Sequence, residues 1–275
     1  MCTLILGLGV AGPETLLVGA NRDESPGRPS AGPALLRERP SVVGGRDLLA
    51  GGTWLAVREG RFVTALLNRR PRAGGAAAAG GAASGAVAPE AAPVSFRSRG
   101  LLCLEAAALG PPSDAPAAID PATGDSYPAR LDAALRLAGR ARYAPCSLVG
   151  LESGGPSWVV TIGPGAEPRG VVLDPGWHVI THAEMDDPGE PRARALLERL
   201  RGEEPRSVAE GLELIRDLLR DHGEGGRPPV CLHRERFPTV SSTLLALGHG
   251  IVPRYEHAAG PPCVTPYEDF ARLLA

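Results

Sequence analysis

The sequence contains no lysine and no glutamine, and asparagine occurs only at Asn21 and Asn68. All of its 29 basic residues are therefore arginines. Together with 36 glycines, 28 prolines and long alanine runs, this indicates a strong compositional bias. Under such a bias ordinary surface asparagines tend to be replaced, so the two that remain are candidate functional residues.

Excess charge of one sign is also lacking. The 29 arginines stand against 31 acidic residues, which gives a net charge of −2. The sequence has no basic tract and no zinc-finger spacing, so we expect no nucleic-acid partner. A hydrophobic content of 43% is enough to build a core, in one large domain or two small ones.

Cysteines are few, odd in number and widely spaced, without a CxxC pair. This pattern favours reduced thiols over a disulfide framework. The apolar first twenty residues carry no arginine before Arg22, and Gly12-Pro13-Glu14 divides them, so they predict a hairpin rather than an export signal or a membrane span. We therefore expect a cytoplasmic protein without stable membrane insertion; the sequence leaves the oligomeric state open. The cysteines are Cys2, Cys103, Cys146, Cys231 and Cys263.

The six histidines show no metal-ligand spacing such as HExxH. His178 and His182 fall on one face of a predicted strand, about 13 Å apart, too far for one zinc ion. Cys231 and His233 also share a predicted strand face, but two ligands do not make a site. The sequence therefore predicts no metal site and no cofactor.

Hydrophobic periodicity and turn residues predict strands, then helices, then strands again. Residues 2–9 and 15–21 form one predicted hairpin, and 53–58 and 61–68 form another around Glu59-Gly60. The order lacks the strict alternation of a parallel doubly wound sheet, so it favours an α+β fold of antiparallel hairpins. An Ala/Gly/Pro-rich segment at 73–93 is predicted to be a flexible loop. Further helices are predicted at 98–109, 127–140, 192–201 and 208–221, further strands at 147–151, 157–162, 170–173, 177–181, 240–247 and 250–255, and a short terminal helix after Thr265.

Cys2 is a candidate nucleophile because of its position. Methionine aminopeptidase generally removes the initiator when the second residue is small, which would leave Cys2 with a thiol and a free α-amino group. That amine has an unperturbed pKa of about 7.7–8.0, suited to a general base. One residue would then supply nucleophile and base. A buried strand cysteine is the alternative interpretation.

A charged cluster follows the second predicted strand, in Ala20-Asn21-Arg22-Asp23-Glu24. Since hairpin strand ends are neighbours, we expect one arginine and two carboxylates close to Cys2. The arginine would lower the thiol pKa or hold a substrate carboxylate. A surface ion-pair cluster is the alternative.

Four blocks within the first hundred residues resemble the NRDE family, the transport and Golgi organisation protein 2 family. The first comprises Met1-Cys2-Thr3-Leu4-Ile5 and Ala20-Asn21-Arg22-Asp23-Glu24 with Arg28-Pro29. The others are Gly44-Gly45-Arg46-Asp47 with Ala50-Gly51-Gly52-Thr53-Trp54-Leu55, Gly60-Arg61 through Leu67-Asn68-Arg69-Arg70, and Ser98-Arg99-Gly100-Leu101. Their order and spacing together make the match specific.

The family is similar to the N-terminal-nucleophile hydrolases of the choloylglycine hydrolase and penicillin V acylase group. The resemblance implies a four-layer αββα sandwich of antiparallel sheets, as a single domain over 1–275. It also implies amide-bond cleavage by Cys2 in a small-molecule substrate, with Arg22 and Asp23 orienting the reaction. Asn68 would bind the oxyanion, for which a side-chain amide is a suitable donor. Asn21, Glu24 and His182 are the expected substrate-binding residues.

Two positions depart from the family pattern. His182 stands where an asparagine is expected, and Val240 stands where an arginine is expected. The imidazole of His182 can still donate a hydrogen bond. Val240 cannot replace a cation, although Arg234 or Arg236 lies close in sequence. The fold is therefore expected to tolerate these changes better than the activity.

The resemblance leaves three hypotheses open, the last of which is a purely structural paralogue, suggested by His182 and Val240. The first is a cysteine N-terminal-nucleophile hydrolase or acyltransferase. The second is a non-catalytic binding or trafficking protein on the same sandwich, with haem or an acyl lipid as its ligand. The latter is implied by links of the family to haem mobilisation and acyl metabolism, although no CxxCH motif is present.

Overall fold

The computed structural model describes residues 2–70, 95–110, 118–119 and 126–275. Within these ranges the chain forms strands, four α-helices and two short 3-10 helices, at Glu224–Gly226 and Ala271–Leu274. The strands are β1 (Thr3–Leu8), β2 (Leu16–Asp23), β3 (Ser30–Arg37), β4 (Val42–Asp47), β5 (Leu55–Arg58), β6 (Phe62–Asn68), β7 (Ala118–Ile119), β8 (Ser126–Tyr127), β9 (Cys146–Glu152), β10 (Trp158–Ile162), β11 (Arg169–Val172), β12 (Gly176–Ile180), β13 (Thr239–Leu247), β14 (Arg254–Ala258) and β15 (Glu268–Asp269). The helices are α1 (Arg99–Ala107), α2 (Ala129–Gly139), α3 (Pro191–Leu200) and α4 (Val208–Arg220).

Two antiparallel sheets form the centre of the molecule. One has the order β12-β1-β2-β13-β14-β15, and the other has the order β11-β10-β9-β6-β5-β4-β3. The pair β7–β8 is separate. β2 lies between β1 and β13, with Thr3 paired to Asn21 and Ser242 paired to Asn21 from the other side. The two N-terminal strands are therefore central, and their ends determine what meets at the candidate site.

The strands bury side chains on both faces, which creates four layers. Alternate residues such as Leu4, Val18, Val63 and Val149 form the core between the sheets. On the outer face of the six-stranded sheet, α3 and α4 pack over a second core. On the outer face of the seven-stranded sheet, α1 and α2 pack over a third. The predicted α+β, four-layer αββα sandwich is confirmed.

The predicted hairpins, most other predicted strands and the four interior helices are present, with ends shifted by one or two residues. The predicted terminal helix is wrong. Residues after Thr265 first form edge strand β15, paired through Glu268 to His257, and only Ala271–Leu274 are helical. A cap-like Thr-Pro-x-Glu pattern was overridden by strand pairing, because local signals do not report an available sheet edge.

The strands β3 and β4 were not predicted, and β14 begins four residues after the predicted strand at 250. Only Pro33 of β3 is buried, so this strand lacks the alternation of buried and exposed residues that marks a strand in sequence. The loop predicted at 73–93 lies outside the described residues. In the part of the chain that is described, no helix has both the length and the apolarity needed to cross a membrane.

Close packing of α4 on β2 requires a glycine at position 19. A Cβ atom there would lie 2.1 Å from Cγ2 of Ile215 and 3.1 Å from Cδ1 of Leu219. We expect Gly19→Ala to lower the free energy of unfolding by about 1–3 kcal/mol, because overpacking displaces the helix. Gly27→Ala is the matched control, since a Cβ atom at position 27 would have no heavy atom within 4 Å. Urea denaturation compares the two; equal stabilities would contradict the tight helix–sheet contact.

Burial of His257 makes the stability of the fold sensitive to acid. Desolvation lowers its pKa from 6.5 to about 4, and Nδ1 lies 3.0 Å from Oγ1 of Thr243. Between these pH values the unfolded chain binds the proton and the folded chain does not, so stability falls as pH is lowered through this window. The pKa difference corresponds to a loss of up to about 3 kcal/mol. His257→Asn should flatten the pH dependence measured by urea denaturation; an unchanged slope would exclude His257 as its source.

Candidate functional site

Cys2 directly precedes β1 and borders a cavity between the ends of the two sheets. Because side chains alternate along a strand, Cys2 shares the inter-sheet face with Leu4, while Thr3 faces the helices. The thiol is half-buried, and Sγ lies 3.9 Å from the main-chain oxygen of Asp23. The cavity has a volume of ≈ 590 Å³, which is sufficient for a small organic molecule.

Arg22 lies on the same face and lines the same cavity. Its guanidinium carbon is 4.4 Å from the ring centre of Trp54, and Nη1 donates to Oγ of Ser30 at 3.2 Å. Burial lowers the pKa of Arg22, and the carboxylate of Glu24 opposes that effect. The arginine is 6% exposed and is held by stacking and hydrogen bonding, so it is positioned before any ligand binds.

Trp54 owes its position to a glycine on the neighbouring strand. A Cβ atom at Gly45 would lie 2.3 Å from Cζ2 of Trp54, so only glycine lets the indole lie flat on β4. The indole ring then stacks against the guanidinium group of Arg22. Trp54 is half-buried and forms part of the cavity wall.

Asn68 and Glu24 complete the predicted residues that the structure brings to the cavity. Asn68 is exposed at the last position of β6, and Glu24 is half-buried just after β2. The carboxylate of Glu24 lies 3.9 Å from both Arg22 and Arg28. Four of the seven predicted site residues therefore share one cavity: Cys2, Arg22, Glu24 and Asn68.

The cavity wall carries more positive than negative charge. The lining side chains include two carboxylates, Glu24 and Asp47, and four guanidinium groups, from Arg22, Arg28, Arg97 and Arg99. Asp47 is paired with Arg28, whose Nε and Nη2 lie 3.0 and 2.7 Å from Oδ2. Among the described residues, none of the Cys, Asp or Glu side chains that line this cavity belongs to a group of three or more that could hold a metal ion.

Asp23 has its carboxylate on the opposite, helix-facing side of β2. Oδ1 accepts a hydrogen bond from Oγ1 of Thr239 at 2.7 Å, and Oδ2 lies 3.6 Å from Nη1 of Arg192. Arg192 also donates to Oγ1 of Thr3 at 2.9 Å. Burial raises the pKa of Asp23, although Thr239 and Arg192 oppose that effect. Asp23 therefore contacts Cys2 through its main chain, and its side chain ties the ends of β1, β2 and β13 together.

Asn21 also faces the helices. Its Nδ2 donates to the main-chain oxygens of Leu219 at 2.9 Å and Val230 at 3.2 Å, and the residue is 1% exposed. These contacts connect β2 to the end of α4 and to the chain that follows it. In its described contacts Asn21 therefore holds β2 against the helix layer behind the cavity. We call this its buttress role.

His182 follows β12, beside the start of β1. The antiparallel register pairs Leu4 with Ile180, and its extension by two residues leads to Cys2 and His182. Burial lowers the pKa of His182, so the half-buried imidazole is neutral at pH 7. It is not among the described residues that line the cavity.

The segment before β13 does not supply a replacement arginine to the described cavity wall. Arg234 and Arg236 are exposed, and neither lines the cavity. Val240 lies where the register between β2 and β13 shifts, between Thr239 and Ser241. A buried cation does reach this strand end from α3, where Arg192 lies against Asp23.

Arg192 and Thr239 are positioned close to the site, yet sequence reasoning assigned them no role. A signal exists for Arg192, since it shares a helical face with Leu196 and Leu200, at spacings of four and eight residues. A charged residue on the apolar face of a helix requires a buried partner. The partner of Thr239 is more than two hundred residues away, and no local pattern identifies it.

The thiols differ in their surroundings. Burial raises the pKa of Cys103 and of Cys146 to about 12, which makes both unreactive core residues. Burial also raises the pKa of Cys2, and the charge of Asp23 adds to that effect. A thiol in this state is protonated at neutral pH, so the chain around Cys2 does not by itself generate a thiolate.

The position of Asn21 predicts a loss of stability when its side chain is removed. Asn21→Ala would leave the main-chain oxygens of Leu219 and Val230 without this donor in a buried place, at a cost of about 1–3 kcal/mol. Asn68→Ala is the matched control, because Asn68 is exposed and its loss should change stability by at most about 0.5 kcal/mol. Urea denaturation measures both; an Asn21→Ala variant as stable as the control would contradict the buttress role.

Comparison with solved structures identifies similar folds among hydrolases. The Caenorhabditis elegans N-acylethanolamine-hydrolyzing acid amidase (NAAA) ortholog is 14% identical, with a TM-score of 0.53 over 89% of this chain and 92% of that chain. A mutant of the conjugated bile acid hydrolase from Clostridium perfringens is 12% identical, with a TM-score of 0.49 over 100% and 94%. Penicillin V acylase from Agrobacterium tumefaciens is 11% identical, with a TM-score of 0.48 over 100% and 88%.

Identity at this level shows the shared fold alone, and the similarity to the amidase carries that conclusion. No curated protein sequence matches the chain. The model of the family described as Transport and Golgi organisation 2 matches residues 1–110, which include the four blocks named above. The predicted resemblance is thus confirmed: over residues 1–110 the chain matches the Transport and Golgi organisation 2 family, and its fold is similar to that of N-terminal-nucleophile hydrolases.

Proposed function

We propose that the protein is a cysteine N-terminal-nucleophile hydrolase or acyltransferase that acts on an amide or related acyl bond. The observation that carries this proposal is that Cys2, Arg22 and Asn68 border one cavity of ≈ 590 Å³. The cavity lies in a sandwich similar to that of an amidase. Cys2 would be the nucleophile once Met1 has been removed.

The raised pKa of the Cys2 thiol favours a mechanism in which the protein supplies a general base for that thiol. Because the thiol is protonated at neutral pH, attack requires a group that takes its proton. The α-amino group of a chain beginning at Cys2 has an ordinary pKa of about 7.7–8.0, close to the working pH. It is also the closest amine to the thiol by covalent structure.

The proposed reaction has two stages, acylation of Cys2 and then release of the acyl group. The amine takes the thiol proton while sulfur attacks the carbonyl carbon, and the tetrahedral intermediate collapses as the C–N bond breaks. The proton passes to the leaving amine, and a thioester remains on Cys2. Water, or another nucleophile in an acyltransferase, gives its proton to the amine and attacks the thioester carbonyl. The C–S bond breaks, the acyl group leaves on the attacking nucleophile, and the amine returns the proton to the thiol.

Two side chains of the cavity suit the charge that develops. The Nδ2 of Asn68 is a neutral donor at a strand end, which fits an oxyanion-binding role. Arg22 is held rigidly between Trp54 and Ser30 and would orient the substrate. Asp23 would help to position the Cys2 thiol, because its main-chain oxygen lies 3.9 Å from Sγ and its carboxylate joins β2 to β13 through Thr239.

The cationic wall favours a substrate that carries negative charge. Of the four guanidinium groups, that of Arg28 is paired with Asp47 and that of Arg97 with Glu105, which leaves Arg22 and Arg99 against the one carboxylate of Glu24. Arginine forks bind carboxylates in a bidentate manner. An amide whose acyl chain ends in a carboxylate is therefore the better probe, with the corresponding methyl ester as its neutral partner.

The test compares two chains that differ only by Met1. Both are released from a cleavable fusion, one beginning at Cys2 and the other at Met1, and their intact masses are checked. We expect brief, limiting iodoacetamide to label Cys2 rapidly only in the chain that begins at Cys2, because only there is the amine adjacent. The same chain should release the chromogenic amine from the carboxylate-bearing amide probe, and Cys2→Ala should abolish release.

The outcomes separate the parts of the proposal. Equal labelling of Cys2 in both chains would remove the α-amine as the base. Rapid labelling without hydrolysis of either probe would contradict catalysis on these amides. Cys103 and Cys146 serve as internal controls, since both are buried and should remain unlabelled in every preparation.

A further inference from the structure

Four metal-ligating side chains converge behind the candidate site, on the helix side of the six-stranded sheet. They are His222, Cys231, His233 and Cys263, and their donor atoms all lie within 4.8 Å of one another. Cys231 is buried, Cys263 is half-buried, and both histidines are exposed. In the part of the chain that the structure describes, this is the only group of three or more such residues that could hold a metal ion.

Four of the six separations between the donor atoms are close to the edges of a small tetrahedron. Sγ of Cys231 lies 3.5 Å from Sγ of Cys263 and 3.8 Å from Nε2 of His233. Nε2 of His233 lies 3.2 Å from Nε2 of His222 and 3.1 Å from Sγ of Cys263. Zinc with ordinary Zn–S and Zn–N bonds separates tetrahedral donors by about 3.3–3.8 Å. These four separations are therefore close to those around a tetrahedral zinc ion, and the remaining two, from His222 to the two sulfurs, are no more than 4.8 Å.

Hydrogen bonds outside the cluster hold the chain segments that carry these side chains. The amide of Cys231 donates to the main-chain oxygen of Asp221 at 2.9 Å, which fixes the turn carrying His222 against Cys231. Nε of Arg220 donates to the main-chain oxygen of Pro262 at 3.1 Å, which fixes the turn carrying Cys263. Convergence of three separate chain segments on one point is thus built into the fold.

We propose that His222, Cys231, His233 and Cys263 form a structural zinc site. Two thiolates and two imidazoles are a ligand set that zinc prefers, and four protein ligands leave no open position for catalysis. Each thiol gives up its proton to solvent as the ion binds, so two thiolates neutralise the charge of Zn²⁺. A neutral complex suits a site with one buried and one half-buried sulfur.

The zinc site would stabilise the helix-facing side of β2, the strand that carries Arg22. Leu232, between two of the ligands, accepts a hydrogen bond from the amide of Thr239 and donates its own amide to Oγ1 of Thr239, both at 2.9 Å. Thr239 in turn donates to Asp23. The oxygen of Val230, next to Cys231, accepts from Asn21. Zinc would therefore fix residues 230–232. This segment contacts Asn21 of β2 directly, and it contacts Asp23 of β2 through Thr239.

The sequence predicted no metal because the ligands do not form a compact motif. His222 and Cys231 are nine residues apart, His233 follows after one intervening residue, and Cys263 lies thirty residues further on. Cys231 and His233 were placed on one strand face, but the segment that carries them is irregular. Only the fold brings Cys263 and His222 to them.

The first test measures zinc in the full-length protein, purified without a histidine tag or chelator. We expect one zinc ion per chain by inductively coupled plasma mass spectrometry, and a lower thermal midpoint after the ion is removed by a chelator. Addition of zinc should restore the midpoint. Protein that contains no zinc as purified and binds none on addition would overturn the proposal.

Cobalt provides a spectroscopic test of the metal ligands. Titration of the metal-free wild-type chain with Co²⁺ should produce thiolate charge-transfer absorption and the visible bands of a tetrahedral complex, saturating at one equivalent. Cys263→Ser and His233→Ala should weaken or abolish these bands. Cys146→Ser and His249→Ala are the matched controls, since neither residue belongs to the cluster, and both should leave the titration unchanged.

The two sulfurs could instead be joined to each other. Peptide mapping under non-reducing conditions would detect a Cys231–Cys263 disulfide, and its presence in protein kept under reducing conditions would overturn the metal site. Octahedral cobalt spectra without charge-transfer bands would do the same, because they would show that the thiolates do not bind. None of these readouts requires hydrolase activity.

Discussion

The alternation of side chains along β2 is the constraint on which the candidate site depends. Arg22 faces the space between the sheets, whereas Asn21 and Asp23 face the helices. One short charged sequence thus serves two purposes. Arg22 contributes to the cavity beside Cys2, and its neighbours attach the strand to α4 and β13. Because the period is two residues, a shift by one position would bury the guanidinium behind the sheet and expose the carboxylate to the cavity.

Much of this arrangement follows from sequence. Apolar runs flanking Glu59-Gly60 predict the second hairpin, and both turn residues have positive φ, at 47° and 59°. The glycines of the matching blocks also have physical reasons. Gly52 has φ of 104°, and a Cβ there would lie 2.3 Å from the carbonyl carbon of Gly100, so the second and fourth blocks touch. Blocks that are distant in sequence therefore match together because their backbones meet.

The remainder could not be predicted, because it rests on pairings between distant segments. Asp23 and Thr239 meet only after β13 has aligned beside β2, with the register shift at Val240. Arg192 lies on α3, far along the chain from Thr3 and Asp23, and it contacts them only in the folded structure. Asn21 stood out by composition, but composition did not indicate on which side of the sheet its amide would lie. Period-two patterns give the faces of a strand, and only tertiary structure shows what covers each face.

The fold also divides the five thiols according to what each can do. Cys103 and Cys146 are enclosed in the core under α1 and α2, where burial keeps them protonated. With zinc bound as proposed, Cys231 and Cys263 would be occupied as ligands. Of the five cysteines, only Cys2 would then have a thiol that borders the cavity and, once Met1 is removed, an adjacent α-amino group. A reactive nucleophile is most useful where the other thiols cannot compete with it or pair with it, and this division achieves that separation within one chain.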